Sequence, residues 1–239
     1  MQNTQEPLEK NKFYGRKKGR PLSLRQKNLL ASLLPTLLFK PKKHKAFFKN
    51  HPLVMEIGFG DGTNLLHLLN TTTNFVFGIE PYQNGIVKVL DVLEKNVSLQ
   101  KRTLLFNHSV LDVITFLPEC AFENIYILFP DPWPKKRHLK RRLIQEDFLH
   151  KLVKTLKENG RLIIASDDPS YIQEIHQVLQ KQKNLKRLSG ITNPESAMWP
   201  PWPKELPLTP YACKALNQKK TLGHFILQKT PSVTDKKSK

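Results

Sequence analysis

The sequence predicts an α/β fold built on a mostly parallel sheet with helices on both faces. Three observations lead there. Short apolar runs alternate with helical patterns, the runs are apolar throughout rather than at every second residue, and a glycine-rich turn follows the first of them. The runs are LVMEI (53–57), FVFGIE (75–80), TLLFN (103–107), NIYILF (124–129), RLIIAS (161–166) and LGHFILQK (222–229). Helical periodicity falls on residues 63–70, 85–96, the segment VLDVITFL, 143–158 and 170–181, with Asn159-Gly160 marking the end of the fourth. Residues 23–39 read as a short amphipathic helix opened by Ser23 and interrupted at Pro35. The Pro-rich, aromatic segment 193–211 reads as a long ordered loop. The chain thus divides into a basic flexible arm (1–22), a helical extension (23–50), one α/β domain (51–230) and a basic tail (231–239).

The 239 residues suffice for one such domain and an appendage, and they carry a formal charge of +19. That charge is segregated. Residues 1–50 hold 13 Lys and Arg against 2 Asp and Glu, residues 51–134 hold 4 against 9, and residues 135–142 hold 6 against none. A footprint for a polyanion follows from this unevenness. The arm is either a solvated tail or a segment that contacts RNA, and its charge density favours the second. No run reaches the roughly 18 apolar residues of a membrane helix, and the first residues lack the apolar core of a signal peptide. Cys120 and Cys213 lie far apart without metal-ligand spacing. The expectation is a cytoplasmic protein with two reduced thiols, no metal and no membrane partner.

The first apolar run leads into Glu56-Ile57-Gly58-Phe59-Gly60-Asp61-Gly62. Glycines at alternate positions let the chain turn tightly and leave room for a ligand against the backbone. A nicotinamide fingerprint needs its third glycine where Thr63 stands. The spacing instead resembles the first motif of class I S-adenosylmethionine methyltransferases. Glu80 ends the second run about twenty residues on, where a carboxylate can accept bonds from both ribose hydroxyls. Glu56, at the end of the first, would face the cationic methionine part. Either carboxylate alone is an ordinary capping or surface residue. Their joint placement at two strand ends points to a site.

The fourth run leads into Phe129-Pro130-Asp131-Pro132-Trp133-Pro134-Lys135-Lys136-Arg137-His138-Leu139-Lys140-Arg141-Arg142. Prolines on either side hold the Asp131 carboxylate in place, and Trp133 offers a face for a base to stack on. The end of the fourth strand adjoins the transferable methyl in this architecture. The basic cluster, with Lys136, Arg137, Arg141 and Arg142, would grip phosphates, Arg being suited to bidentate contacts.

FPDPWPKKRHLKRR, with VMEIGFGDG and GIE, resembles the bacterial tRNA (guanine-N7-)-methyltransferases of the TrmB family over residues 51–230, and Arg16-Lys17-Lys18-Gly19-Arg20 extends the likeness. The resemblance implies a Rossmann-like class I methyltransferase fold with a seven-stranded sheet. It implies S-adenosylmethionine as methyl donor, tRNA as partner, and 7-methylguanosine formed at position 46. It implies cofactor contacts at Glu56, Gly58, Gly60, Glu80, Ser109 and Asp131, with Asp131 also the catalytic residue. Substrate contacts fall on Lys135, Asp167, Thr209 and Tyr211, in a monomer or homodimer. Two places depart from the family pattern. Ser109 stands where an aspartate is frequent, and Ala212 replaces the glutamate of the C-terminal T-x-F/Y-E-x-K/R motif.

Guanine N7 carries a free lone pair, so alignment is the main task and Asp131 would orient the base and offset its developing charge. Two other readings share much of this pattern. An amino-methyltransferase of adenine or cytosine also places Asp/Asn-Pro-Pro-aromatic after the fourth strand, but Trp133 occupies the second proline's place. A cofactor-dead tRNA-binding protein would have no need of Glu56, Glu80 and Asp131 all being acidic.

Overall fold

The computed structural model describes Gly15 and residues 19–44, 47–196 and 198–231. Arg16, Lys17 and Lys18, the rest of the arm before Gly15, and residues 232–239 of the basic tail lie outside the described residues.

The strands are β1 (Leu53–Ile57), β2 (Phe75–Ile79), β3 (Thr103–Phe106), β4 (Phe122–Leu128), β5 (Leu156–Ser166), β6 (Leu185–Gly190) and β7 (Gly223–Lys229). They form a seven-stranded sheet in the order β3-β2-β1-β4-β5-β7-β6. β2 runs parallel to β3 and β4 to β5, while β7 is antiparallel to β5 and β6. The helices are α1 (Leu24–Ser32), α2 (Leu34–Leu37), α3 (Pro41–His44), α4 (Phe47–Asn50), α5 (Thr63–Thr71), α6 (Gln83–Leu93), α7 (Val97–Gln100), α8 (Glu146–Thr155), α9 (Pro169–Gln180) and α10 (Pro210–Asn217). This is the mostly parallel α/β sheet that the apolar runs predict.

Four details differ from the sequence expectation, each for a local reason. VLDVITFL forms two 3₁₀ turns, Val110–Asp112 and Ile114–Phe116, and not an α-helix. Ser109 Oγ accepts from Leu111 N and opens the first turn, and the β-branched Val113, Ile114 and Thr115 crowd a regular helix. Asn159-Gly160 does not end a helix. It lies inside β5, where Asn159 takes φ 63° and the register against β4 slips between Phe122 and Asn124. β6 is an edge strand, exposed over much of its length, so LKRLSG carries too few apolar residues to be seen as a strand. The loop expected over 193–211 gives way to α10 at Pro210, where Thr209 Oγ1 accepts from Ala212 N and the proline fills the first turn.

Chain contacts divide the molecule into two compact units, one of Met1–His51 with Met55–Pro118 and one of Pro52–Val54 with Glu119–Lys239. In the first, α5 and α6 bury Leu65, Leu68, Leu69, Ile86, Leu90 and Leu93. Each such side chain contributes about 1.5–3 kcal/mol when fully buried. The extension is pinned to β3, with Phe39 N donating to Leu105 O at 2.7 Å and the Phe39 ring packed 5.2 Å from Phe77. A capping box between Ser23 and Gln26 starts α1. The Asn84 amide holds the end of the arm, accepting from Gly19 N and donating to Arg20 O, both at 2.8 Å. In the second unit β4, β5 and β7 bury Ile125, Ile127, Leu162, Ile164, Phe225 and Leu227. There α9 is anchored by Tyr171, fully buried, whose hydroxyl accepts from Ile144 N at 3.0 Å. Among the described residues no helix is long and apolar enough to cross a membrane.

Candidate active site

The glycine turn of the first unit has three left-handed residues in five, Gly58 (φ 74°), Gly60 (φ 57°) and Gly62 (φ 82°). An L side chain at each costs about 1–2 kcal/mol in backbone strain alone. The turn also needs Gly85, since a Cβ there would stand 1.9 Å from Gly60 O. Gly85 on α6 thus lets the helix seat directly on the turn, a role that spacing within the turn does not reveal. A Cβ on Gly58 would meet nothing within 4 Å, so the backbone there borders open space.

Besides Asp61 within it, two strand-end carboxylates attend this turn. Glu80 is buried, and its two oxygens accept from different backbone donors, Oε2 from Gly60 N at 2.7 Å and Oε1 from Tyr82 N at 2.8 Å. It therefore fixes the shape of the turn as well as presenting charge. Glu56 is 2% exposed and its Oε2 has no hydrogen-bond partner. Burial pushes its carboxyl up to about 8, and the charges of Glu80 and Asp61 add to the rise. Asn64 approaches Glu56 and opposes the shift, yet neither atom of its amide reaches hydrogen-bond geometry. Buried, unpartnered acceptors of this kind are costly unless a ligand satisfies them. An acidic, partly unsatisfied site with open backbone beside it fits a cationic sulfonium and amine. Ser109, buried in the same unit, caps the 3₁₀ turn by accepting from Leu111 N at 3.2 Å, a bond that does not use its O–H donor.

In the second unit the FPDPW turn leaves β4 at Phe129, whose N–H still bonds Ala165 O at 2.8 Å. Phe129 (φ 54°) and Trp133 (φ 43°) are both left-handed, a conformation costing about 1–3 kcal/mol for a non-glycine residue. Between them Asp131 is presented at the surface, and its carboxylate makes no hydrogen bond or ion pair among the described residues. Water reaches this carboxylate, but neighbouring protein removes part of its hydration and moves its pKa above the ordinary value.

The basic run that follows forms a 3₁₀ helix over Lys136–Arg141. Lys135, Lys136, Arg137 and Lys140 are exposed, while Arg141 lies over the Trp133 ring at 5.1 Å. Arg142 corrects the sequence expectation. It is 4% exposed and cannot grip a phosphate, because its guanidinium is spent within the protein. Nε donates to Pro132 O at 2.7 Å, Nη1 to Glu174 at 2.5 Å and Nη2 to Ser170 Oγ at 2.6 Å, and the group lies 4.7 Å over the Tyr171 ring. Arg142 ties the FPDPW turn to α9.

Of the other expected substrate residues, Asp167 pairs with Lys220 at 2.6 Å and Thr209 caps α10, on whose first turn Tyr211 is exposed. Ala212, at the family's glutamate position, is fully buried in a cluster with Ala215 and Leu222, against which Phe129 and Trp202 pack. Sequence reasoning missed Asn64 and Gly85, which no local signal marks, and it met Phe129 and Trp202 only as members of the FPDPW run and the Pro/Trp-rich loop, without their contact.

A family model described as "Putative methyltransferase" matches residues 50–223. The solved 16S rRNA methyltransferase KamB shares the fold at a TM-score of 0.55 and 10% identity, covering 81% of this chain and 95% of that one. Fold and glycine turn together define a class I methyltransferase. A tRNA (guanine-N(7)-)-methyltransferase of Erythrobacter litoralis is 30% identical over 226 residues, 92% of this chain and 94% of that protein. A bifunctional methyltransferase of Rickettsia conorii is 34% identical over 224 residues, 93% of this chain and 41% of that protein. The chain thus spans about two fifths of the length of the first curated relatives it matches. It belongs to the bacterial tRNA (guanine-N7-)-methyltransferase family.

Proposed function

We propose that the protein transfers a methyl group from S-adenosylmethionine to N7 of a guanosine in tRNA, giving 7-methylguanosine at position 46. The observation that carries this is the FPDPW turn, which presents a carboxylate at the surface and runs straight into exposed cations. Glu56, Gly58, Gly60, Glu80 and Ser109 would hold the cofactor, which supplies an electrophilic methyl on a sulfonium. Asp131 would accept from guanine N1–H and the exocyclic amine, leaving N7 unprotonated and outward. Because that carboxylate is partly desolvated, it binds N–H donors more strongly than one in bulk water and better offsets positive charge on the purine. Lys135, Asp167, Thr209 and Tyr211 would line the substrate side, and a cytoplasmic location suits the substrate. The direct test is methylation of tRNA lacking 7-methylguanosine, with chromatography of the nucleosides and mapping of the base. Methyladenosine or methylcytosine as product, or no product with cofactor bound, would overturn the reading.

The exposed cations give a second measurement. Replacing Lys136, Arg137 and Lys140 by alanine should raise the KM for tRNA and leave cofactor affinity unchanged. The log–log slope of tRNA affinity against salt should flatten by about 0.7–0.9 per lost phosphate contact. Arg142→Ala should leave that slope alone and instead lower stability by about 2–3 kcal/mol, since charged hydrogen bonds are lost inside the fold. An unchanged slope in the triple variant would make the cluster ordinary solvated surface.

Glu56 adds a pH dependence. The folded protein keeps a proton up to about pH 8 that the unfolded chain releases near 4.5. Its contribution to stability is full below 4.5, falls as pH rises to about 8, and is flat above. A cationic ligand favours the carboxylate, so cofactor binding should release this proton and tighten as pH rises toward about 8. Calorimetry in buffers of different ionisation enthalpy measures the release. Equal release by Glu56→Gln would assign it to another group.

A further inference from the structure

The Pro/Trp-rich loop remains without a role in the proposed chemistry, yet its packing leads directly to the catalytic turn. The Trp202 indole stacks on the Phe129 ring, with centroids 5.8 Å apart and planes 25° from parallel. It is itself held. Its Nε1–H donates to Leu206 O at 3.0 Å, closing the loop on itself, and its ring meets His224 of β7 edge-on at 6.3 Å. Trp202 and Phe129 both pack against the buried Ala212, Ala215 and Leu222, so α10 backs the stack.

Phe129 is where support is needed. It is the last residue bonded to β5 before the turn and has a left-handed backbone (φ 54°) that a phenylalanine rarely adopts. Glycine would accept that conformation without strain, whereas the phenylalanine brings a ring that packs on Trp202 and the α10 cluster. Two residues on, the Asp131 side chain makes no hydrogen bond or ion pair among the described residues, and the backbone of the turn alone sets its position. The far end of that turn is tied through Pro132 O to Arg142. The near end is tied through the Phe129 ring to Trp202.

We infer that Trp202 is a positioning residue for methyl transfer: its stack on Phe129 holds the start of the FPDPW turn and so fixes where Asp131 meets the guanine. The inference rests on the reading that Asp131 binds the base. It assigns the loop to the turnover step rather than to tRNA affinity.

The experiment compares Trp202→Ala, Trp202→Phe, Phe129→Gly and Asp131→Asn in the full chain, measuring kcat, KM for unmethylated tRNA, S-adenosylmethionine Kd and Tm. Misplacement by about 1 Å costs on the order of a hundredfold in rate, so Trp202→Ala should lose at least about tenfold in kcat. Its tRNA KM and cofactor Kd should stay within about twofold, well below the effect of losing a contact. Trp202→Phe keeps an aromatic face and should recover most of the lost kcat. Phe129→Gly tolerates the backbone but has no ring, and it should lose kcat as Trp202→Ala does even if that variant folds poorly. Wild-type kcat in Phe129→Gly, or no rescue by phenylalanine, overturns the inference. So does a loss in Trp202→Ala carried by tRNA KM, which would make the loop a binding surface. An inactive Asp131→Asn beside an unaffected Trp202→Ala defeats this inference alone. A fully active Asp131→Asn defeats the reading on which it rests.

Discussion

Asp131→Ala is expected to lower methyl transfer by a hundredfold or more while tRNA affinity, cofactor affinity and Tm stay near wild type. The magnitude follows from removing one preorganised group aimed at developing charge, which typically costs about 10²–10³ in kcat. Selectivity of the effect follows from the structure. The Asp131 carboxylate supports nothing else, since it makes no hydrogen bond or ion pair among the described residues, and the turn around it is held by Phe129, Arg142 and Trp133. Asp131→Asn is the sharper variant. It keeps the shape but replaces one acceptor oxygen with a donor, which would face a guanine N–H. Single-turnover rates with saturating tRNA separate this loss from binding, and a folded Asp131→Ala enzyme with more than about a tenth of wild-type kcat would sink the assigned role.

Glu80→Ala should weaken S-adenosylmethionine binding by roughly 10–150-fold, the equivalent of one charged hydrogen bond at about 1.5–3 kcal/mol. The loss has two sources. One is the bond to the ligand. The other is the release of Gly60 N and Tyr82 N, which the carboxylate holds at 2.7 and 2.8 Å. Glu80→Gln should be almost as damaging, because a glutamine offers one acceptor oxygen and its amide would confront one of the two backbone donors. Calorimetry of cofactor binding reads both variants, and unchanged affinity in either would remove Glu80 from the cofactor site.

The residues whose chemistry is declared locally were legible from the start. Gly58, Gly60, Gly62 and Glu80 announce a tight turn and a strand-end carboxylate by spacing alone, and the apolar runs announce the sheet because buried parallel strands need no alternation. Edges and bulges were harder. β6 is partly exposed and therefore polar, and Asn159-Gly160 signals a change of direction without saying whether a helix or a strand makes it.

Arg142 shows where local reasoning ends. In the sequence it is one of six cations in eight residues, indistinguishable from Arg137 or Arg141. Only the fold brings Glu174 and Ser170 of α9 around it and turns a presumptive phosphate contact into an internal strut. Phe129 and Trp202 make the same point, being 73 positions apart in the chain and stacked in space. What the sequence alone determined was the sheet, the glycine turn, the acidic strand ends and the segregation of positive charge, all properties of short segments. Which cation faces water, which carboxylate lacks a partner and which aromatic holds the FPDPW turn were decided by tertiary structure. Those properties depend on neighbours distant in the chain, and burial and hydrogen-bond partnership exist only once the chain has brought them together.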